Sequence, residues 1–250
     1  MPGALDLPPL LTGRRLDPAT VGTRGTTGAH GTTDARGTAG ARDDNRAFAR
    51  AASRARDGRL GAGDLVWVDM DHRLEMALVT EPDVARERCA EMVPLFAVAC
   101  GDALGALAPP EVAVTYRWPD RLLVNGAEAG RLALALANGS PPDWLVVGLH
   151  LAVRPADASD PGLDPSRTTL WDEGCGEIAV RDLVSAIARH TVAVLHDWDT
   201  GGFGAVHRAW TGRHAGEEGF LGLDDHGNAL MREGDRTVAR DLIETMAPPR

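Results

Sequence analysis

Three stretches in the middle of the chain carry its clearest strand signals, and their order limits what it can fold into. Val112-Ala113-Val114-Thr115-Tyr116-Arg117 is β-prone, residues 121–124 and 129–135 flank a turn opened by Asn125-Gly126, and residues 144–153 form a nearly continuous apolar run. Asn-Gly favours a tight hairpin because both positions accept positive φ. Two further strands, Leu65-Val66-Trp67-Val68 and residues 74–79, are joined through Asp69-Met70-Asp71-His72-Arg73. Between these lie helical patterns. An Ala/Arg-rich segment at 45–56 ends at Asp57-Gly58. Glu81-Pro82-Asp83 signals a helix start, and Pro94 divides the helical stretch into a short helix before it and a longer one over 94–107. On the longer one, Leu95, Phe96, Ala99, Cys100, Ala103, Leu104 and Leu107 share a face, which makes Cys100 a packing residue. Residues 181–198 are amphipathic at helical spacing, with Gly201-Gly202 as the stop. Strands and helices interleave without a regular β-α-β rhythm, so the expected class is α+β: a mixed or antiparallel sheet covered by helices on one side.

Composition narrows the function. The chain has 250 residues, 44% hydrophobic and 25% charged, enough to bury one main core and a small satellite. Its formal charge of −10 opposes a phosphate-binding surface, so no nucleic acid is expected as partner. No apolar run approaches the roughly 20 residues that span a bilayer, and the start of the chain lacks the basic-then-apolar order of a secretion signal; no membrane partner and a cytoplasmic location are expected. Cys89, Cys100 and Cys175 lack C-x-x-C spacing, and His190 and His196 are not a helical turn apart, which argues against a metal site. There is no lysine: all 26 basic residues are arginine. That excludes a Walker-type phosphate loop and Schiff-base chemistry, since arginine supplies charge but not a compact amine.

The chain divides into an N-terminal arm (1–20), a Gly/Thr/Ala/Arg-rich insertion (21–44) expected to be a disordered linker rather than a displaced phosphate loop, a main domain (45–212), and a small C-terminal β domain (213–250). In that tail, Asp225-His226-Gly227 and Glu233-Gly234-Asp235 read as turns between short strands.

Three segments together carry a resemblance. Arg117-Trp118-Pro119-Asp120-Arg121 with the Asn125-Gly126 hairpin after it, then Ala129-Gly130-Arg131-Leu132, then Val147-Gly148-Leu149-His150-Leu151-Ala152-Val153 resemble the biotin-protein ligases. In that family the pieces read Lys-Trp-Pro-Asn-Asp with an Asn-Gly hairpin, Gly-Ile, and Gly-Ile-Gly-Ile-Asn-Val. Leu221-Gly222-Leu223-Asp224-Asp225-His226-Gly227 is similar to the strand pair of the family's small C-terminal SH3-like domain. The resemblance to the biotin/lipoate A/B protein ligase superfamily implies ATP- and Mg2+-dependent activation of a small carboxylic acid, biotin or lipoate/octanoate, to an acyl-adenylate. It also implies transfer of the acyl group to a lysine on a biotinyl or lipoyl carrier domain.

By resemblance, Arg117 takes the family lysine's place as the catalytic cation. Trp118, Pro119, Gly130, Arg131, Gly148 and His150 form the acid-binding surface, and Asp120 and Asn125 face the nucleotide. Trp118 and Pro119 equally suit a buried aromatic and a strand terminator, and His150 equally suits a hydrogen-bonded core histidine. The departures from the pattern are specific. The family's Gly-Arg-Gly-Arg-x-Gly loop belongs between the first two strands, where only residues 69–73 stand. The family Asn is Asp120, whose carboxylate repels phosphate unless Arg121 pairs with it. Two functions remain open: an AMP-forming ligase or acyltransferase, and a catalytically degenerate module that binds a metabolite or carrier. Thiol-dependent acyl transfer through Cys175 or Cys100 is a minor alternative.

Overall fold

A computed structural model of the chain describes residues 5, 7–16, 46–155 and 164–247. The linker expected at 21–44 lies outside these residues.

Seven strands build one mixed sheet: β1 (Thr12–Leu16), β2 (Asp64–Met70), β3 (Arg73–Thr80), β4 (Val114–Arg117), β5 (Arg121–Val124), β6 (Ala127–Leu136) and β7 (Leu145–Ala152). Their order across the sheet is β1-β2-β3-β7-β6-β5-β4, and every pair is antiparallel except β1 with β2. The apolar run at 144–153 becomes the central strand β7, with six of its eight residues buried, as expected where both faces of a sheet are covered. Asn125 (φ 50°) and Gly126 (φ 89°) form the predicted hairpin turn.

The sheet is covered on both faces, not one. On the broader face lie α2 (Met92–Leu107), α3 (Val180–Gly201) and α4 (Gly204–Thr211), packed on Leu65, Trp67, Leu74, Met76, Leu149 and Leu151. On the other face lies α1 (Arg46–Arg56), whose Ala47, Ala51, Ala52 and Ala55 pack on Val66, Val68, Ala77, Val79 and Val146. Alanines at these spacings let a helix ride close to the sheet.

The expected short and longer helices are both present, with the break two residues before Pro94. Pro94 stands at the third position of α2, where a missing N–H is one of the four that a helix start leaves unpaired. The shorter element before it, residues 86–91, is a 3-10 turn. The segment Arg86–Leu107 is long and apolar enough to cross a membrane, but most of it is buried inside the fold as a core helix.

The arm contributes a strand that its sequence does not announce, β1, and an Arg14–Asp64 ion pair at 2.6 Å supports its pairing with β2. The tail forms a second sheet, β8 (Phe220–Leu223), β9 (Ala229–Glu233) and β10 (Arg236–Arg240), and ends in a short helix α5 (Leu242–Met246) where only strands were expected. The chain at 213–215 also pairs with β4, since Tyr116 N donates to Arg213 O (2.9 Å) and Ala215 N to Tyr116 O (2.8 Å).

Candidate functional site

Register places one polar residue from each of five adjacent strands in a row: Glu75 opposite His150, His150 opposite Arg131, Arg131 opposite Arg121, and Arg121 opposite Arg117. Side chains directly opposite one another share a face, and this is the face that α1 covers in part. The row therefore starts under α1 at Glu75 and runs out to an uncovered edge at Arg117.

Its middle is a neutral charge network. Arg121 Nε lies 3.0 Å from Asp120 Oδ1, its second nitrogen contacts Glu128, and Arg131 Nε contacts the other Glu128 oxygen. Two cations face two anions, all four largely out of water. The pairing of Arg121 with Asp120 is the one that the altered motif required. Burial pushes the Asp120 carboxyl above its ordinary range, and the pull of Arg121 and Arg131 in the other direction is smaller.

A raised folded-state value means the neutral form is favoured on folding. The stabilising contribution is then present below the unfolded carboxylate value and lost as pH rises through the folded one. Asp120→Asn is expected to flatten that part of the stability–pH curve and to leave neutral-pH stability equal or higher. Thermal melts between pH 3 and pH 8 measure this, and a lower melting temperature for the variant at pH 7 rejects it.

Arg117 stands apart. It is exposed, and among the described residues it has no hydrogen-bond or ion-pair partner. It is close enough to His214 to lower that imidazole's pKa, an effect second to burial. His214 itself is held between Trp210 (5.2 Å) and Phe220 (4.1 Å). The cation thus sits at a rim where the main sheet meets the C-terminal segment.

Several expected site residues lie elsewhere. Gly130 is opposite Leu151 and Leu122 on the helix-covered face, where an added Cβ would come within 2.9 Å of His150 O and 3.1 Å of Leu151. It does not share a surface with Arg117 and His150. Trp118 also belongs to the helix-side core, and its Nε1 donates to Gly227 O at 3.2 Å. That bond ties the end of β4 to the turn of the small C-terminal sheet. Pro119 is partly buried after a cis bond to Trp118. Asn125 sits at the hairpin tip, where its Oδ1 accepts from Ala113 N (2.9 Å) and its Nδ2 donates to Glu173 (2.7 Å). Four residues of strand, about 13 Å, separate it from Arg121, and its hydrogen bonds hold the turn.

Gly148 does share the row's face, next to His150, but its space is taken: an added Cβ would lie 2.7 Å from the Phe48 ring. Sequence patterns did not single out Phe48, Glu75 or Glu128. For Glu128 the reason is a β-bulge at Leu122/Leu123. Residues three apart on a regular strand point to opposite faces, and the bulge brings Glu128 to the Arg131 side. For Glu75, one carboxylate inside an apolar strand was the available signal.

The β2–β3 connection is two residues long, Asp71-His72, so among the described residues this turn carries no glycine-rich loop. A cleft of about 550 Å³ opens beside this turn, lined by Asp71, Val153, Arg154, Ile178, Ala179, Val180 and Arg181. Val153 faces the helices, so this cleft lies behind the sheet from the charged row. Among the described residues no cluster of three His, Cys, Asp or Glu could hold a metal ion.

Comparisons with known proteins agree on a relationship. The profile of the biotin/lipoate A/B protein ligase family matches residues 36–212. A biotin--[acetyl-CoA-carboxylase] ligase of Paracoccus denitrificans is 29% identical over 199 residues, covering 72% of this chain and 80% of that protein. A biotin protein ligase-like protein of unknown function from Silicibacter sp. TM1040 superposes with a TM-score of 0.80 at 32% identity, over 98% of this chain and 100% of that one. The biotin protein ligase of Aquifex aeolicus superposes at 0.64 with 14% identity, over 76% of this chain and 90% of that one, which is a likeness of fold.

Proposed function

Since the chain belongs to the biotin/lipoate A/B protein ligase family, we propose that it binds a small carboxylic acid along the row from Arg117 to His150 without activating it. The observation that carries this is the difference among the three arginines. Arg121 and Arg131 are neutralised by Asp120 and Glu128, while Arg117 has no partner among the described residues and can take a carboxylate. A guanidinium binds a carboxylate through two parallel N–H···O bonds, stronger and more directional than those of an ammonium. Three strand spacings, about 14 Å, separate Arg117 from His150, which suits an elongated acid lying across the strands.

ATP does not fit this surface well. The triphosphate would meet two carboxylates already paired with the arginines that would have to neutralise it. Among the described residues the two-residue turn at Asp71-His72 offers no glycine-rich backbone to cradle phosphate, and the chain has no lysine to stabilise charge developing on the acyl phosphate. Transfer to a carrier-domain lysine needs an activated acyl group, so this site does not support it either.

Calorimetric titration of the full chain with octanoate, lipoate and biotin tests binding. Arg117→Ala is expected to weaken the acid that binds by roughly 10- to 100-fold, the worth of charge-assisted hydrogen bonds. Unchanged affinity rejects Arg117 as the carboxylate ligand. Pyrophosphate exchange with each acid should stay at background, and exchange above background by the wild-type chain overturns the claim that activation is lost.

A further inference from the structure

We infer that Phe48 selects which acid this site accepts, by filling the space over Gly148 and excluding acids that carry a ring at the end remote from the carboxylate; the inference rests on the acid-binding reading above. Gly148 lies between Ala77 on β3 and Ala133 on β6, so three small residues of this face are neighbours and leave a trough in the sheet. The trough is occupied. A Cβ on Gly148 would lie 2.7 Å from Phe48 Cδ2, 3.0 Å from its Cβ and 3.1 Å from its Cγ, so the aromatic side chain rests directly on the glycine.

Phe48 is held there by the start of its helix. The backbone amides of Arg46 and Ala47 donate to Glu75 Oε2 at 2.7 and 3.3 Å, and Ala47 and Ala51 on the same helix are fully buried against the sheet. Moving the Phe48 backbone would break two hydrogen bonds to a buried carboxylate, whose loss is costly. The partly exposed surface from His150 to Arg117 lies outside the trough. A slender unbranched chain can lie on it with its carboxylate at Arg117. A fused ring beyond His150 needs the volume that Phe48 occupies, and a packed aromatic yields that volume only at the cost of strain.

The test compares octanoate with biotin, by calorimetry on the full chain, for the wild type, Phe48→Ala and Phe48→Leu. Wild type is expected to bind octanoate at least roughly tenfold more tightly than biotin, and Phe48→Ala to bring biotin up by roughly tenfold while octanoate changes by less than about threefold. Phe48→Leu keeps an apolar side chain on the sheet and removes the ring, so it should move the ratio in the same direction if the alanine variant does not fold. A wild-type preference for biotin, or an unchanged ratio in whichever variant folds, overturns the role of Phe48 and leaves acid binding at Arg117 standing. Binding of neither acid by wild type and variants overturns both.

Discussion

Replacing Glu75 by alanine is expected to lower stability by about 3–5 kcal/mol, the usual cost of removing one partner from a buried charge pair. Glu75 is fully buried. One of its oxygens accepts from the first amides of α1, and the other lies 2.8 Å from Arg73 Nε. That second contact is an ion pair without an aligned hydrogen bond, because neither Arg73 Nε nor Glu75 Oε1 has a hydrogen-bond partner of acceptable geometry. Removing the carboxylate therefore strands a buried guanidinium nitrogen and two helix-start amides together. For a domain of this size such a loss lowers the melting temperature by roughly 10 °C. Glu75→Gln keeps the volume and an acceptor for the amides, so it should lose only the charge-dependent part. Urea unfolding of both variants measures the difference, and an alanine variant within about 1 kcal/mol of wild type contradicts the clamp, since surface changes alone reach that size.

Glu91 should be the next most costly position. It is 1% exposed at the start of α2, and it gathers three elements: Trp198 Nε1 from α3 donates at 2.5 Å, Arg88 Nε lies at 3.2 Å, and His226 Nδ1 from the small C-terminal sheet lies at 3.1 Å. Arg88 also lies over the Trp198 ring at 5.0 Å. Glu91→Ala is expected to cost about 2–3 kcal/mol, less than Glu75→Ala because Arg88 and His226 can turn to water once released. The damage should be uneven. Amide hydrogen exchange in β8 to β10 should accelerate more than in β7, and equal acceleration across both sheets contradicts a role for Glu91 in holding the tail.

Much of this architecture was legible in the sequence because apolar periodicity tracks burial. The central strand, the Asn125-Gly126 hairpin and the long amphipathic helix before Gly201-Gly202 all appear where their patterns placed them. Elements whose stability is tertiary were not legible. β1 reads Thr-Gly-Arg-Arg-Leu, with no apolar alternation, and is a strand because β2 offers it an edge. The site was legible in part. The ligase-like motif located the Arg117 turn, yet Trp118, next to Arg117, points to the other face, as does Gly130, next to Arg131. Alternation along a strand separates such neighbours even when a motif strings them together. Phe48 was invisible for a different reason: a lone aromatic in an Ala/Arg helix reveals its importance only when Gly148 is known to lie beneath it.

Acid binding by this chain turns on one carboxylate meeting one guanidinium. A crystal of the full chain soaked with octanoate, or with biotin if that binds better, should show the acid's two oxygens within hydrogen-bond reach of the Arg117 guanidinium and its chain running toward His150. Density for the acid in the cleft between Arg154 and Arg181, with Arg117 bare, would contradict it.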